Sequence, residues 1–134
     1  EADQNWVYYT GTHMDFILDL GEVMPLNSVN MDFMNPQAQP DWHLFALPKF
    51  VTYSFSSDGK EYSQPLSITN PNNPNPIENP EISKISFFPF LATLNSGTKA
   101  RYIKVHAESL LKTPSWHIRS GQDLSIYCDQ IVVK

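Results

Sequence analysis

Ala100-Arg101-Tyr102-Ile103-Lys104-Val105-His106-Ala107-Glu108 is the stretch whose reading decides the fold. Ile103, Val105 and Ala107 alternate with Tyr102, Lys104 and His106, the period of two that turns one face of a strand to a core and the other to water. The closing stretch, 124–133, alternates as well. Leu124, Ile126, Cys128 and Gln130 fall on one side, Ser125, Tyr127, Asp129 and Ile131 on the other, before an apolar Val132-Val133 finish. The chain therefore ends in two strands. The connection between them is too long for a tight hairpin and carries Trp116, His117 and Arg119 within a few residues of one another.

Working outward, residues 14–20, 26–33, 50–55, 61–68 and 82–90 also read as strands. Residues 21–25 read as a turn, and Ser56-Ser57-Asp58-Gly59-Lys60 as a hairpin turn, because Asp-Gly supplies the positive φ that a tight reversal needs. Asn95-Ser96-Gly97 is a further connection. Residues 34–48, rich in Pro, Asn and Gln, and 70–80, almost wholly Asn and Pro, read as loops, since proline cannot join a central ladder. Nothing reads as a long amphipathic helix or a repeat. The expected fold is all-β, an antiparallel β-sandwich of two sheets. If each strand crosses the sandwich and reverses, the segment before residue 14 and the loops 34–48, 70–80 and 109–123 gather at one end. That end collects Trp6, Tyr8, Tyr9, His13, Trp42, His43, Phe45, Trp116, His117 and Arg119; aromatic residues on loops over a rigid scaffold suggest recognition.

At 134 residues the chain reads as a single domain, 1–134, large enough to bury a core. A net charge of -5 with no basic stripe argues against nucleic acid as a partner. No run is apolar enough to span a membrane, and no signal peptide is visible. The single cysteine, Cys128, has no internal disulfide partner and reads as inert packing in a strand.

Four segments in register resemble one family: Phe16-Ile17-Leu18-Asp19-Leu20-Gly21, the run from Ser54 to Tyr62, Arg101-Tyr102-Ile103-Lys104-Val105, and Cys128-Asp129-Gln130-Ile131-Val132-Val133. Together they look like the coagulation factor 5/8 type C, or discoidin, domain. Pro114-Ser115-Trp116-His117 with Gly121 and Asp129 looks like the version appended to bacterial glycoside hydrolases, especially β-hexosaminidases (chitobiases) of gut Bacteroidetes. The resemblance implies a jelly-roll, galactose-binding-like sandwich whose first strand this sequence lacks, with ligand loops at one end. It also implies a secreted, periplasmic or cell-surface setting, a glycan as partner and a catalytic domain in the same polypeptide. Many members hold a structural calcium with the Glu of a terminal Asp-Glu-Ile motif. Gln130 stands there in this chain, and a hard cation prefers charged oxygen, so no cofactor is expected and a structural calcium is disfavoured, with Asp129 and backbone carbonyls as the ligands left to it.

On this reading the carbohydrate-binding residues are Tyr9, Trp42, His43, Phe45, Trp116, His117 and Arg119. An indole face lies against a pyranose while imidazole and guanidinium donate to hydroxyls. In the competing reading Trp116 plugs the end of the sandwich, and the aromatic loops pack on a neighbouring domain without binding sugar. A membrane partner is disfavoured by Asp41 and the overall acidity. Catalysis is not expected: His106 and Glu108 share a strand face with no evident third metal ligand, and Asp15 and Asp19 share a face without an opposing carboxylate across a cleft.

Overall fold

The computed structural model describes residues 7–35, 46–69, 86–113 and 120–134. Among these, nine strands form: β1 (Val7–Thr10), β2 (Met14–Pro25), β3 (Ser28–Asn35), β4 (Phe50–Ser56), β5 (Leu66–Thr69), β6 (Ser86–Pro89), β7 (Ala92–Thr93), β8 (Lys99–Glu108) and β9 (Ser125–Val133). One sheet has the order β1-β9-β3-β6, with β7 also paired to β3; the other has the order β2-β8-β4-β5. All pairings are antiparallel.

The alternation read in β8 sets the core. Ile103, Val105 and Ala107 are fully buried and meet Val51, Tyr53 and Phe55 of β4 beside them and Val29, Met31, Phe33, Ile126 and Cys128 of the facing sheet. Each large apolar side chain removed from water in this way contributes roughly 1.5–3 kcal/mol. The Tyr53 hydroxyl donates to the Phe90 carbonyl at 2.7 Å and so ties β4 to the chain just beyond β6 in the facing sheet. The result is the two-sheet antiparallel sandwich that the alternation predicts.

The strand boundaries depart from the sequence reading wherever a bulge or a proline intervenes. Residues 21–25, read as a turn, remain within β2: pairing with β8 jumps from Asp19↔Tyr102 to Met24↔Ala100, and the intervening residues bulge out at Gly21, whose φ is +89°. Residues 61–65, read as the start of a strand, stay outside the ladder. The Ser63 amide reaches the Phe55 carbonyl, but Pro65 has no N–H to offer, and β5 begins only at Leu66. The aromatic segment before residue 11, which the sequence reading placed among the connections at one end, forms the edge strand β1 against β9. In β9 the sides change midway, because pairing to β3 steps from Phe33↔Cys128 to Met31↔Ile131 and sets three residues of β9 against two of β3. This bulge leaves Gln130 exposed and packs Ile131 and Val133 against the core, the reverse of the alternation read from sequence.

Candidate functional site

The strand directions bring the described ends of several connections together at one pole. The Gly11 amide donates to the Leu124 carbonyl, the Ala46 amide to the Ser125 carbonyl and the Lys49 amide to the Glu108 carbonyl. Lys112 bridges Asp123, and the Thr113 amide donates to the Gln122 carbonyl. Asn35 pairs with Ser86 and Thr69 with Phe50 at the same pole. At the opposite pole lie Asn27, whose amide donates to the Lys134 carbonyl, and Leu26, whose amide donates to the Thr98 carbonyl.

Of the sequence-derived binding residues, Trp42, His43, Phe45, Trp116, His117 and Arg119 lie outside the described residues, as does Trp6. Tyr9 lies within them. It sits opposite Ile126 and packs against the core, whereas its neighbour Tyr8 is 60% exposed and stacks on Tyr127 with ring centroids 5.2 Å apart.

A polar cluster on the outer face of the β2-β8-β4 sheet borders this pole. His106 and Glu108, two residues apart on β8, point to the same side; Asp15 of β2 sits opposite His106, and His13 precedes β2. His106 Nδ1 is 2.6 Å from Asp15 Oδ1, and its Nε2 is 2.6 Å from Glu108 Oε2. His13 Nε2 lies 3.4 Å from Glu108 Oε1, while its Nδ1 accepts the Ser109 amide at 3.0 Å. Phe50 of β4 closes the side with its ring 6.1 Å from that of His106. Partial burial disfavours charge on His106, but hydrogen bonds to Glu108 and Asp15 outweigh it and raise the pKa above the ordinary imidazole value. The sequence reading paired His106 with Glu108 and found no third group. His13 and Asp15 join them only through the β2–β8 register, which no local pattern encodes.

The chemistry open to this cluster follows from its protons. His13 Nδ1 accepts an N–H, so the proton of the neutral ring resides on Nε2, the atom facing Glu108. Both His106 nitrogens face carboxylates, so neither offers a free lone pair to a substrate proton. His13, His106 and Glu108 have donor atoms close enough for a metal ion, all within 4.8 Å. The ring nitrogens that face these carboxylates are His13 Nε2 and both nitrogens of His106, so a metal would have to displace their protons. Cys128 is no nucleophile either: it is buried beside Met14, and burial raises its thiol pKa to about 12.

The opposite pole holds a cleft of about 570 Å³ between the 57–64 loop and the 94–99 turn, floored by Phe55 and Leu94 and rimmed by Glu61, Gln64 and Lys99. Asp58 on its rim is committed to its own turn. Its carboxylate accepts the Lys60 and Glu61 amides and the Ser56 hydroxyl, which hold it below the usual carboxylate range.

No protein-family model and no curated protein sequence matches the chain.

Proposed function

We propose that the chain is a noncatalytic carbohydrate-binding accessory module of the discoidin kind, jelly-roll and galactose-binding-like in topology, carried by a secreted or surface bacterial glycoside hydrolase of the chitobiase or β-hexosaminidase type. One observation carries this reading: the described flanks of both Trp-His stretches converge at the start of β9. Ala46, which follows Trp42-His43-Leu44-Phe45, bonds Ser125, and Lys112 and Thr113, which precede Trp116-His117, bond Asp123 and Gln122. The described residues that border the two stretches thus lie side by side, which favours a shared ligand rim. The four family-like segments quoted above support the same reading.

The module acts by proximity. Holding a catalytic domain near a glycan raises the effective substrate concentration without new chemistry. A loop rim that buries little of its ligand binds in the range of micromolar to millimolar, on the order of -4 to -8 kcal/mol. The test is a glycan array with the folded chain, followed by calorimetry on any hit with Trp42→Ala and Trp116→Ala. Each substitution is expected to weaken binding at least tenfold, about 1.4 kcal/mol. A folded chain that gives no glycan signal would assign the loops to packing on a neighbouring domain instead.

A further inference from the structure

Two turns wall the cleft at the pole opposite the start of β9, and each is braced by its own hydrogen bonds. On one side the Ser56 hydroxyl accepts the Gly59 amide at 2.8 Å, the Asp58 carboxylate accepts the Lys60 and Glu61 amides, and the Ser63 hydroxyl accepts the Phe55 amide at 3.0 Å. The last of these folds the 57–64 loop back onto the end of β4. On the other side the Thr98 amide and hydroxyl both donate to the Asn95 carbonyl, at 3.1 and 2.7 Å. The Leu94 amide donates to the Asn27 carbonyl and the Leu26 amide to the Thr98 carbonyl, which ties this turn to the link between β2 and β3. The floor is the end of the core, since Phe55 and Leu94 are both members of it. A cleft walled in this way is formed before any ligand arrives, so binding orders little.

The rim carries charge of both signs. Asp58 and Glu61 make the 57–64 wall negative, Lys99 makes the 94–99 wall positive, and Gln64 adds an amide. Glu61, Gln64 and Lys99 are exposed, and among the described residues their side chains form no ion pair or hydrogen bond. An anionic ligand would reach Lys99 only by facing two carboxylates, and a cationic one would meet Lys99. A neutral ligand escapes both repulsions if its groups donate to a carboxylate and accept from an ammonium, which is what a hydroxyl does. The apolar floor asks for a C–H face in the same molecule. A pyranose ring supplies both, and the cleft volume of about 570 Å³ suits a small ligand.

We infer that this cleft is a second carbohydrate site, for a neutral mono- or disaccharide: sugar hydroxyls donate to Glu61 and accept from Lys99, Gln64 does both, and the C–H face of the ring rests on Phe55 and Leu94. The inference rests on the carbohydrate-binding reading of the chain and extends it to the opposite pole. A chain with a site at each pole bridges two glycans, and on a surface that carries many of them the second contact is an intramolecular one.

The experiment is an amide NMR titration of the isotope-labelled chain with neutral probes: the methyl pyranosides of glucose, galactose and mannose, and N-acetylglucosamine. At least one is expected to shift the amides of residues 57–64 and 94–99 saturably, with a Kd in the millimolar range. Glu61→Ala and Lys99→Ala, both on exposed side chains, are each expected to weaken that Kd about tenfold. The double variant Trp42→Ala, Trp116→Ala is expected to leave the cleft shifts intact. The methyl glucuronide, which adds a carboxylate to the glucose probe, is expected to bind the cleft more weakly than its neutral parent. Shifts confined to the pole at the start of β9 would overturn the cleft site and leave the loop rim standing, whereas shifts in the cleft alone would support this site and refute the rim. No saturable shift with any probe, full affinity in both alanine variants, or a glucuronide that binds as tightly as the glucoside would each overturn the inference.

Discussion

Removing one oxygen from the core tests the cross-sheet tether directly. Tyr53 is fully buried, and its hydroxyl donates to the Phe90 carbonyl at 2.7 Å. Burial pushes the phenol pKa well above its ordinary range, so the group is neutral and acts purely as a hydrogen-bonding hydroxyl. Tyr53→Phe keeps the ring and its packing but leaves the Phe90 carbonyl without this donor. A lost buried hydrogen bond with one partner stranded costs about 1–3 kcal/mol, partly offset because the hydroxyl no longer has to be desolvated. We expect a net loss of about 1.5 kcal/mol. For 134 residues the unfolding entropy near the midpoint is about 0.28 kcal/mol/K, so the melting temperature should drop by about 5 °C. Urea unfolding should give the same loss with an unchanged m-value, because neither the exposed surface nor the native packing changes. A loss below about 0.5 kcal/mol would show that the bond contributes nothing net and that apolar contact alone holds the two sheets in register.

Two further perturbations probe the bulge in β2 and the turn after β4. Asp19 accepts Arg101 Nε at 2.9 Å and Nη2 at 3.1 Å, together with the Gly21 amide at 2.8 Å. These bonds lower its pKa from 3.8 to about 2. Because the folded value is depressed, the contribution of Asp19 to stability is present above 3.8 and lost as pH falls through about 2. Carbon-detected NMR should find the carboxyl titrating near that value, and Asp19→Asn should flatten the acid limb of the stability profile; a midpoint near 3.8 would contradict the geometry. At Gly59, φ is +77° and an added Cβ would sit 3.1 Å from the Tyr102 ring. Gly59→Ala is therefore expected to lower the urea midpoint by the equivalent of about 1–2 kcal/mol, and an unchanged midpoint would mean that the turn relaxes freely around the new methyl.

What the sequence determines by itself is what local periodicity and side-chain chemistry can encode. The alternation from Tyr102 to Ala107 is the alternation of burial in β8, because the pleat turns successive side chains to opposite faces whatever lies beside the strand. Asp58-Gly59 makes its turn because the Asp58 carboxylate accepts the Lys60 and Glu61 amides and Gly59 tolerates the left-handed backbone, both properties of the residues themselves. Bulges escape such a reading. Gly21 and the Asp129-Gln130 step interrupt pairing without ending a strand, and only the partner strand reveals whether the ladder resumes. The polar cluster escapes it more completely. Asp15 and His106 are separated by 91 residues and meet at 2.6 Å only because β2 pairs with β8 in one particular register. Register is fixed by the joint burial of two sheets, a nonlocal free energy that no window of sequence contains. Tertiary structure alone therefore decided which imidazole faces which carboxylate, while the chain's own pattern had already settled that these residues would stand on a strand's solvent face.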